Sequence, residues 1–217
     1  MRRLPVYILI DTSTSMRGEP IEAVKMGINT LLDSLCKDPY ALETVCLSVI
    51  TYNSVAEQVL PLTEVYKVRF PNIIAKGRSV LGEALLLLSE KVDSEVRKNT
   101  PSQKGDWKPL LFLLSDGGHT GALAGPIKEF KRRKFGIVVA CAAGQKSHLD
   151  ILCKITDNIV QISATDTVSI KSYFKWVSNS ISTSSMRLED TGQGDFTMQE
   201  LPPLPNEIMI LHSNENN

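Results

Sequence analysis

Asp11, Ser13 and Ser15 set a carboxylate and two hydroxyls on alternate residues of one short polar segment, Asp11-Thr12-Ser13-Thr14-Ser15. The segment follows a continuous apolar run, Val6 to Ile10, and a second carboxylate, Asp116, follows another, Leu110 to Leu114. In a doubly wound sheet, ligands bind beyond the carboxyl ends of the strands, where the strand order reverses. If these two runs are neighbouring central strands, both carboxylates open into one crevice. Ligation by oxygen alone suits a hard cation such as Mg²⁺, with Mn²⁺ as its substitute, which keeps several waters and needs few carboxylates. Taken singly, Ser, Thr and Asp are ordinary turn and cap residues. A strand before the segment, a helix after it and an Asp beyond a second strand favour the metal site.

Other chemistries lack their parts. The chain has no G-x-x-x-x-G-K-[ST] segment and no G-x-G-x-x-G after its first strand, so neither phosphate cradle is present. A phosphotransferase with its Asp after the first strand needs a second acid two residues on, where this chain has Ser13. A metal-dependent phosphohydrolase-like enzyme using Asp11 is nonetheless the alternative from another function class. Of the imidazoles His119, His148 and His212, His119 alone lies near a candidate carboxylate in sequence. The basic run Lys131 to Lys134 has no interleaved aromatic residue and reads as the solvated end of a helix, not as a nucleic-acid surface.

The elements that must position these residues alternate. Ile21, Val24, Ile28, Leu31 and Leu35 recur at helical spacing after Pro20. Val45 to Tyr52 reads as a strand, paired in a hairpin with Ala56 to Leu60, which Pro61 is expected to end. Leu81, Leu85, Leu88 and Val92 mark a second helix, and Ile127 and Phe130 a short third. Gly136 to Ala143 is another apolar strand, Leu149 to Ile155 a short helix and Ile159 to Ile162 a short strand. The stripe Ile170, Tyr173, Phe174, Val177 and Ile181 makes the last helix, and its pattern dissolves after Ser182. Near-continuous apolar strands alternating with helices predict an α/β fold: a mostly parallel sheet covered on both faces.

With 217 residues, 42% hydrophobic and 22% charged, the chain suits one ordinary domain with or without a tail. The formal net charge is zero, which speaks against a generally basic nucleic-acid binder. Residues 187–217 carry one basic and six acidic residues, so they are expected to form a flexible acidic tail on a domain of residues 1–186. The tail's apolar residues dock on the body or a partner, or a tail carboxylate such as Glu200 or Glu207 caps the metal. Cys36, Cys46, Cys141 and Cys153 contain no C-x-x-C pair, and a reducing, cytoplasmic setting is expected. No stretch reaches the ~20 apolar residues of a membrane helix, so no membrane partner is expected.

The residues Asp11, Ser13 and Ser15, the segment Gly77-Arg78-Ser79-Val80-Leu81-Gly82 and the later Asp116 resemble the von Willebrand factor A-type domain family and its metal-ion-dependent adhesion site (MIDAS). The middle segment is similar to G-x-T-x-L-G, with Ser79 supplying the hydroxyl. Several further stretches, among them Gly18-Glu19-Pro20-Ile21-Glu22, Asp38-Pro39-Tyr40-Ala41-Leu42-Glu43 and Phe174-Lys175-Trp176-Val177, resemble the bacterial tellurite-resistance-associated proteins of the TerY type over roughly residues 3–183. The resemblance implies a Rossmann-like sheet of order 3-2-1-4-5-6 with an antiparallel edge strand. It also implies a non-catalytic, metal-dependent protein-interaction module whose metal ligands are Asp11, Ser13, Ser15, Ser79 and Asp116. Its partner donates a carboxylate to the metal, and family inference names a protein phosphatase and a protein kinase in a stress-response system. Gly118, His119 and Thr120 stand where relatives shape partner choice. Arg78 either adds attraction for an acidic partner or is a solvated surface residue.

Overall fold

Four runs of Leu, Ile, Val, Ala and aromatic residues form the centre of the sheet: β1 (Leu4–Asp11), β2 (Val45–Tyr52), β4 (Leu110–Ser115) and β5 (Ile137–Ala143). All but one of their residues are fully buried, as strands covered on both faces must be. The structure, a computed structural model, describes residues 2–116, 118–144, 149–162 and 164–211. His148 and His212 lie outside the described residues. With β3 (Ala56–Glu64), β6 (Ile159–Ile162) and β7 (Ile208–Leu211) the sheet has the order β3-β2-β1-β4-β5-β6-β7. The strands β2, β1, β4, β5 and β6 run parallel, and β3 and β7 are antiparallel at the two edges. The expected α/β architecture and order hold, with β7 added beyond them.

Helices α1 (Glu19–Lys37), α2 (Pro39–Thr44) and α6 (Thr167–Thr191) cover one face. Helices α3 (Leu81–Glu95), α4 (Ala124–Phe130) and α5 (Leu149–Ile155) cover the other. Glu19 and Glu22 in the first turn of α1 and Lys37 in its last complement the helix dipole. Asp38 then accepts from the Ala41 amide at 3.0 Å and starts α2 at once.

Three expectations change. Pro61 does not end β3, which runs on to Glu64. The register slips between the Val49–Leu60 and Leu47–Thr63 pairs, and on an edge strand such an irregularity absorbs the missing proline amide. Helix α6 does not dissolve at Ser182, because the serines there are buried rather than solvated. Ser180 Oγ donates to the Trp176 carbonyl at 2.9 Å, Ser185 Oγ lies 2.6 Å from Thr44 Oγ1, and their small size lets α1 and α2 approach. The helix stops at Gly192, whose φ of +67° a side chain would resist.

The third change concerns the C-terminal segment. The boundary expected at residue 186 falls inside α6, and Leu188, Phe196, Leu201 and Ile208 beyond it are buried in the core on the α1 and α6 side of the sheet. The Trp176 indole N–H donates to the Pro202 carbonyl at 2.9 Å, and the Phe196 amide to the Gly136 carbonyl at 2.9 Å. Glu200 accepts from Arg187 at 2.7 Å and from the Thr197 amide at 2.8 Å. These contacts hold Glu200 at the amino ends of the parallel strands, far from Asp11, so it caps no metal there. Glu207 immediately precedes β7, which lies three strands beyond β4 at the sheet edge.

Candidate metal centre

Strand β1 ends at Asp11 and β4 at Ser115, one residue before Asp116. The two strands are direct parallel neighbours, with Ile10 opposite Leu114. The chain leaves β1 toward β2 on one side and reaches β4 on the other, so the strand order reverses between the two carboxylates. The crevice that forms at such a reversal is where the sequence pattern places them.

Asp11 has no solvent exposure. Its Oδ1 accepts from the Ser13 amide at 2.7 Å, which bends the chain into a tight turn, and its Oδ2 accepts from Ser79 Oγ at 2.8 Å. Ser13 and Ser15 Oγ lie 2.9 Å apart at the head of a short 3-10 turn, Thr14–Met16. Three of the expected hydroxyls therefore cluster around one carboxylate. Asp116 is half-buried, and its Oδ1 accepts from the Gly118 amide at 3.1 Å. Burial first, and then the facing charge of Asp116, push the Asp11 carboxyl from 3.8 up to about 6, against the pull of the bonds from Ser13 and Ser79.

Backbone bonds hold the three loops together. The Thr12 amide donates to the Tyr52 carbonyl at 2.8 Å, the Lys76 amide to Thr12 at 2.9 Å and the Thr14 amide to Gly77 at 2.9 Å. The Thr120 amide and hydroxyl both donate to the Ser79 carbonyl, at 2.7 and 2.9 Å. Gly77 has φ +71°, and a Cβ there would stand 2.2 Å from Ser54 Oγ, which in turn accepts from the Arg78 amide at 3.1 Å. The turn that presents Ser79 thus requires glycine. No described residue other than glycine has a positive φ, so Thr14 fits its place between the serines without backbone strain.

All five expected ligands come together in this crevice. Arg78, Gly118, His119 and Thr120 are exposed on its rim. Ser54, Thr14 and Tyr52 serve the site structurally and carry no sequence signal of it. The Tyr52 hydroxyl donates to the Leu114 carbonyl at 3.3 Å beneath the crevice, and burial followed by the charge of Asp11 keeps it neutral.

Among the described residues no three His, Cys, Asp or Glu side chains gather as a metal cluster, so soft-metal sets are not present there. The candidate centre is instead two carboxylates and three hydroxyls, all hard oxygen donors. A buried acid facing a half-buried one is short of positive charge, which a divalent cation would supply. The donor set fits the ion.

Residues 6–175 match the von Willebrand factor type A domain family. No curated protein is significantly similar in sequence. Among solved structures, a von Willebrand factor type A protein from Catenulispora acidiphila superposes with TM-score 0.63 at 20% identity, over 84% of this chain and 43% of that one. Proximal thread matrix protein 1 from the mussel byssus, in a form with a zinc-occupied MIDAS motif, gives TM-score 0.56 at 18% identity, over 82% of this chain and 45% of that one. A conserved protein, BatB, from Bacteroides thetaiotaomicron gives TM-score 0.54 at 18% identity, over 81% of this chain and 97% of that one. The chain spans less than half the length of the first two. These likenesses establish the fold and leave what each protein binds as a property of that protein.

Proposed function

The chain belongs to the von Willebrand factor type A domain family, and on that premise we propose that it is a non-catalytic, Mg²⁺-dependent protein-interaction module. One observation carries the reading: the buried Asp11 facing Asp116, ringed by the hydroxyls of Ser13, Ser15 and Ser79. These five residues would hold the ion, with Mn²⁺ as its substitute. When bound there, the ion would supply positive charge for a carboxylate from a partner protein. The side chains do the rest. Ser79 and the Ser13 amide orient the Asp11 carboxylate, and the Gly118 amide orients Asp116. The exposed rim of Arg78, Gly118, His119 and Thr120 meets whatever surrounds the partner's carboxylate, and Arg78 adds a positive charge there.

The rival phosphohydrolase needs an acid at position 13, where the Ser13 hydroxyl instead faces Ser15 at 2.9 Å. The resemblance to TerY-type proteins supports a bacterial, cytoplasmic setting in tellurite resistance or stress response, with a protein phosphatase and a protein kinase as associates. All four cysteines are free thiols, which agrees with a reducing compartment, and no described helix is long and apolar enough to cross a membrane. The decisive experiment is a pull-down from native lysate in Mg²⁺ and in EDTA, with wild type beside Asp11→Ala. A partner retained only by wild type and only with metal is the expected result. Steady phosphoester turnover lost on Asp11 substitution would replace this reading with the enzyme.

A further inference from the structure

The pole opposite the metal centre carries a groove of about 530 Å³, formed where the end of α3, the loop before β4 and the segment after α4 meet. Its walls hold Arg97, Lys98, Lys108, Arg132, Arg133 and Lys134. Some of this charge is already answered. Arg133 pairs with Asp93 and Glu129, Arg132 with Glu129 at 2.6 Å, and Lys108 with Asp195. Asp106, the other acid of the groove, is taken by Arg3 at 2.6 Å and by the Arg97 amide at 2.8 Å. Arg97, Lys98 and Lys134 are exposed and make no close ion pair among the described residues, although Lys98 lies within electrostatic reach of Asp93 and Arg97 of Glu64. Beneath them lie Val92, Val96 and Pro109. Three cations without a close ion pair, over an apolar floor, leave the groove net positive in a chain of zero net charge.

We propose that this groove docks an acidic segment of a partner protein, one that places carboxylates against Arg97, Lys98 and Lys134 and an apolar side chain on the floor between them. Charge complementarity names the anion, and the floor and the ring at its edge name the polymer. Trp107 is the one aromatic residue lining the groove. The Arg2 guanidinium lies 3.5 Å from its ring centroid, and Gly194 packs so closely that a Cβ there would stand 3.2 Å from its Cε3. A ring so occupied offers no platform on which a nucleic-acid base could stack. The groove is independent of the metal, since its residues stand at the amino ends of the strands whose carboxyl ends hold Asp11 and Asp116.

The test is fluorescence anisotropy with a labelled peptide of alternating Glu and Leu, titrated with the protein in EDTA so that the metal centre takes no part. A single-stranded oligonucleotide of equal charge is the comparison probe. Wild type should bind the peptide, more weakly as salt rises, and the Lys98→Gln/Lys134→Gln variant should lose roughly tenfold or more in affinity. Both positions are exposed, so an unchanged melting temperature of the variant is expected to accompany that loss. Absence of peptide binding in EDTA, equal binding by the variant, or tighter binding of the oligonucleotide than of the peptide would each overturn the proposal.

Discussion

Replacing Asp11 by Asn separates the cost of the candidate centre from its use. In metal-free protein the Asp11 carboxyl is raised from 3.8 to about 6, chiefly by burial and then by Asp116. Well below its ordinary value the group is protonated in both folded and unfolded chains and contributes nothing to the balance. As pH climbs through the ordinary value, the unfolded chain releases its proton first, so folding is increasingly opposed. Above about pH 6 both states are ionised and the penalty is constant, at roughly 3 kcal/mol for a shift of about two units. Asn carries no charge and escapes that penalty. It keeps one acceptor for the Ser13 amide and loses about 1 kcal/mol of the bond from Ser79. The metal-free variant should therefore be more stable than wild type by about 2 kcal/mol near neutrality, which at about 2–4 °C per kcal/mol is a rise of roughly 4–8 °C. That advantage should shrink as the pH falls, pass through zero between about pH 4 and 5, and leave the variant below wild type by up to about 1 kcal/mol at lower pH. Saturating Mg²⁺ should reverse the ranking, because a ligand at about a hundred times its Kd adds about 2.7 kcal/mol to wild type alone. Scanning calorimetry of both proteins in EDTA and in Mg²⁺, at several pH values, reads all of this. A variant less stable than wild type in EDTA near neutrality would refute the buried-charge argument, and one that still gains stability from Mg²⁺ would remove Asp11 from the ligand set.

Ser79→Ala removes a proposed metal-ligating hydroxyl and a bond to Asp11 worth about 1 kcal/mol, so isothermal calorimetry should record a larger loss in metal affinity than thermal melting records in stability. Equal metal binding would exclude Ser79. Gly77→Ala forces a side chain onto φ +71° and against Ser54. It should cost about 1–3 kcal/mol in urea unfolding and weaken Mg²⁺ binding as well, since the same turn presents Ser79. A variant as stable as wild type would show that the turn relaxes at no cost. Truncation after Met186 strips Leu188, Phe196, Leu201 and Ile208 from the core, at roughly 1.5–3 kcal/mol for each fully buried side chain. The shortened chain should be insoluble or lose its cooperative melting, and a soluble chain with an unchanged transition would restore the idea of a dispensable tail.

The parts of the molecule that were readable in sequence are those with a single way to be satisfied. Strands covered on both faces need apolar residues at every position, and Val6 to Ile10 and Leu110 to Leu114 announce themselves for that reason. The clustering of the candidate residues was legible because a carboxylate and hydroxyls at alternate residues just past such a strand, with an Asp past a second strand, are drawn together when the two strands pair. What stayed hidden depends on partners distant in sequence. Ser178, Ser180, Ser184 and Ser185 look solvated until α1 and α2 are packed against them. Pro61 looks terminal until it is known to lie on an edge. Strand β7 is four residues long, with Met209 and Ile210 exposed, and has no alternation to betray it before β6 is in place. Ser54 matters only because Gly77 happens to lie above it.

The pairing of β1 with β4 also sets when the centre can exist during synthesis. Asp11 emerges from the ribosome before β2 and β3, which can join β1 soon after. The other carboxylate arrives only with β4, after α3 and the loop that follows it have been made. Until then the side of β1 destined for β4 is an open edge, and Ser13, Ser15 and Ser79 surround one acid rather than two. A nascent chain therefore lacks the complete candidate centre until β4 has emerged, and capture of the proposed ion would report that the central pair of strands has closed.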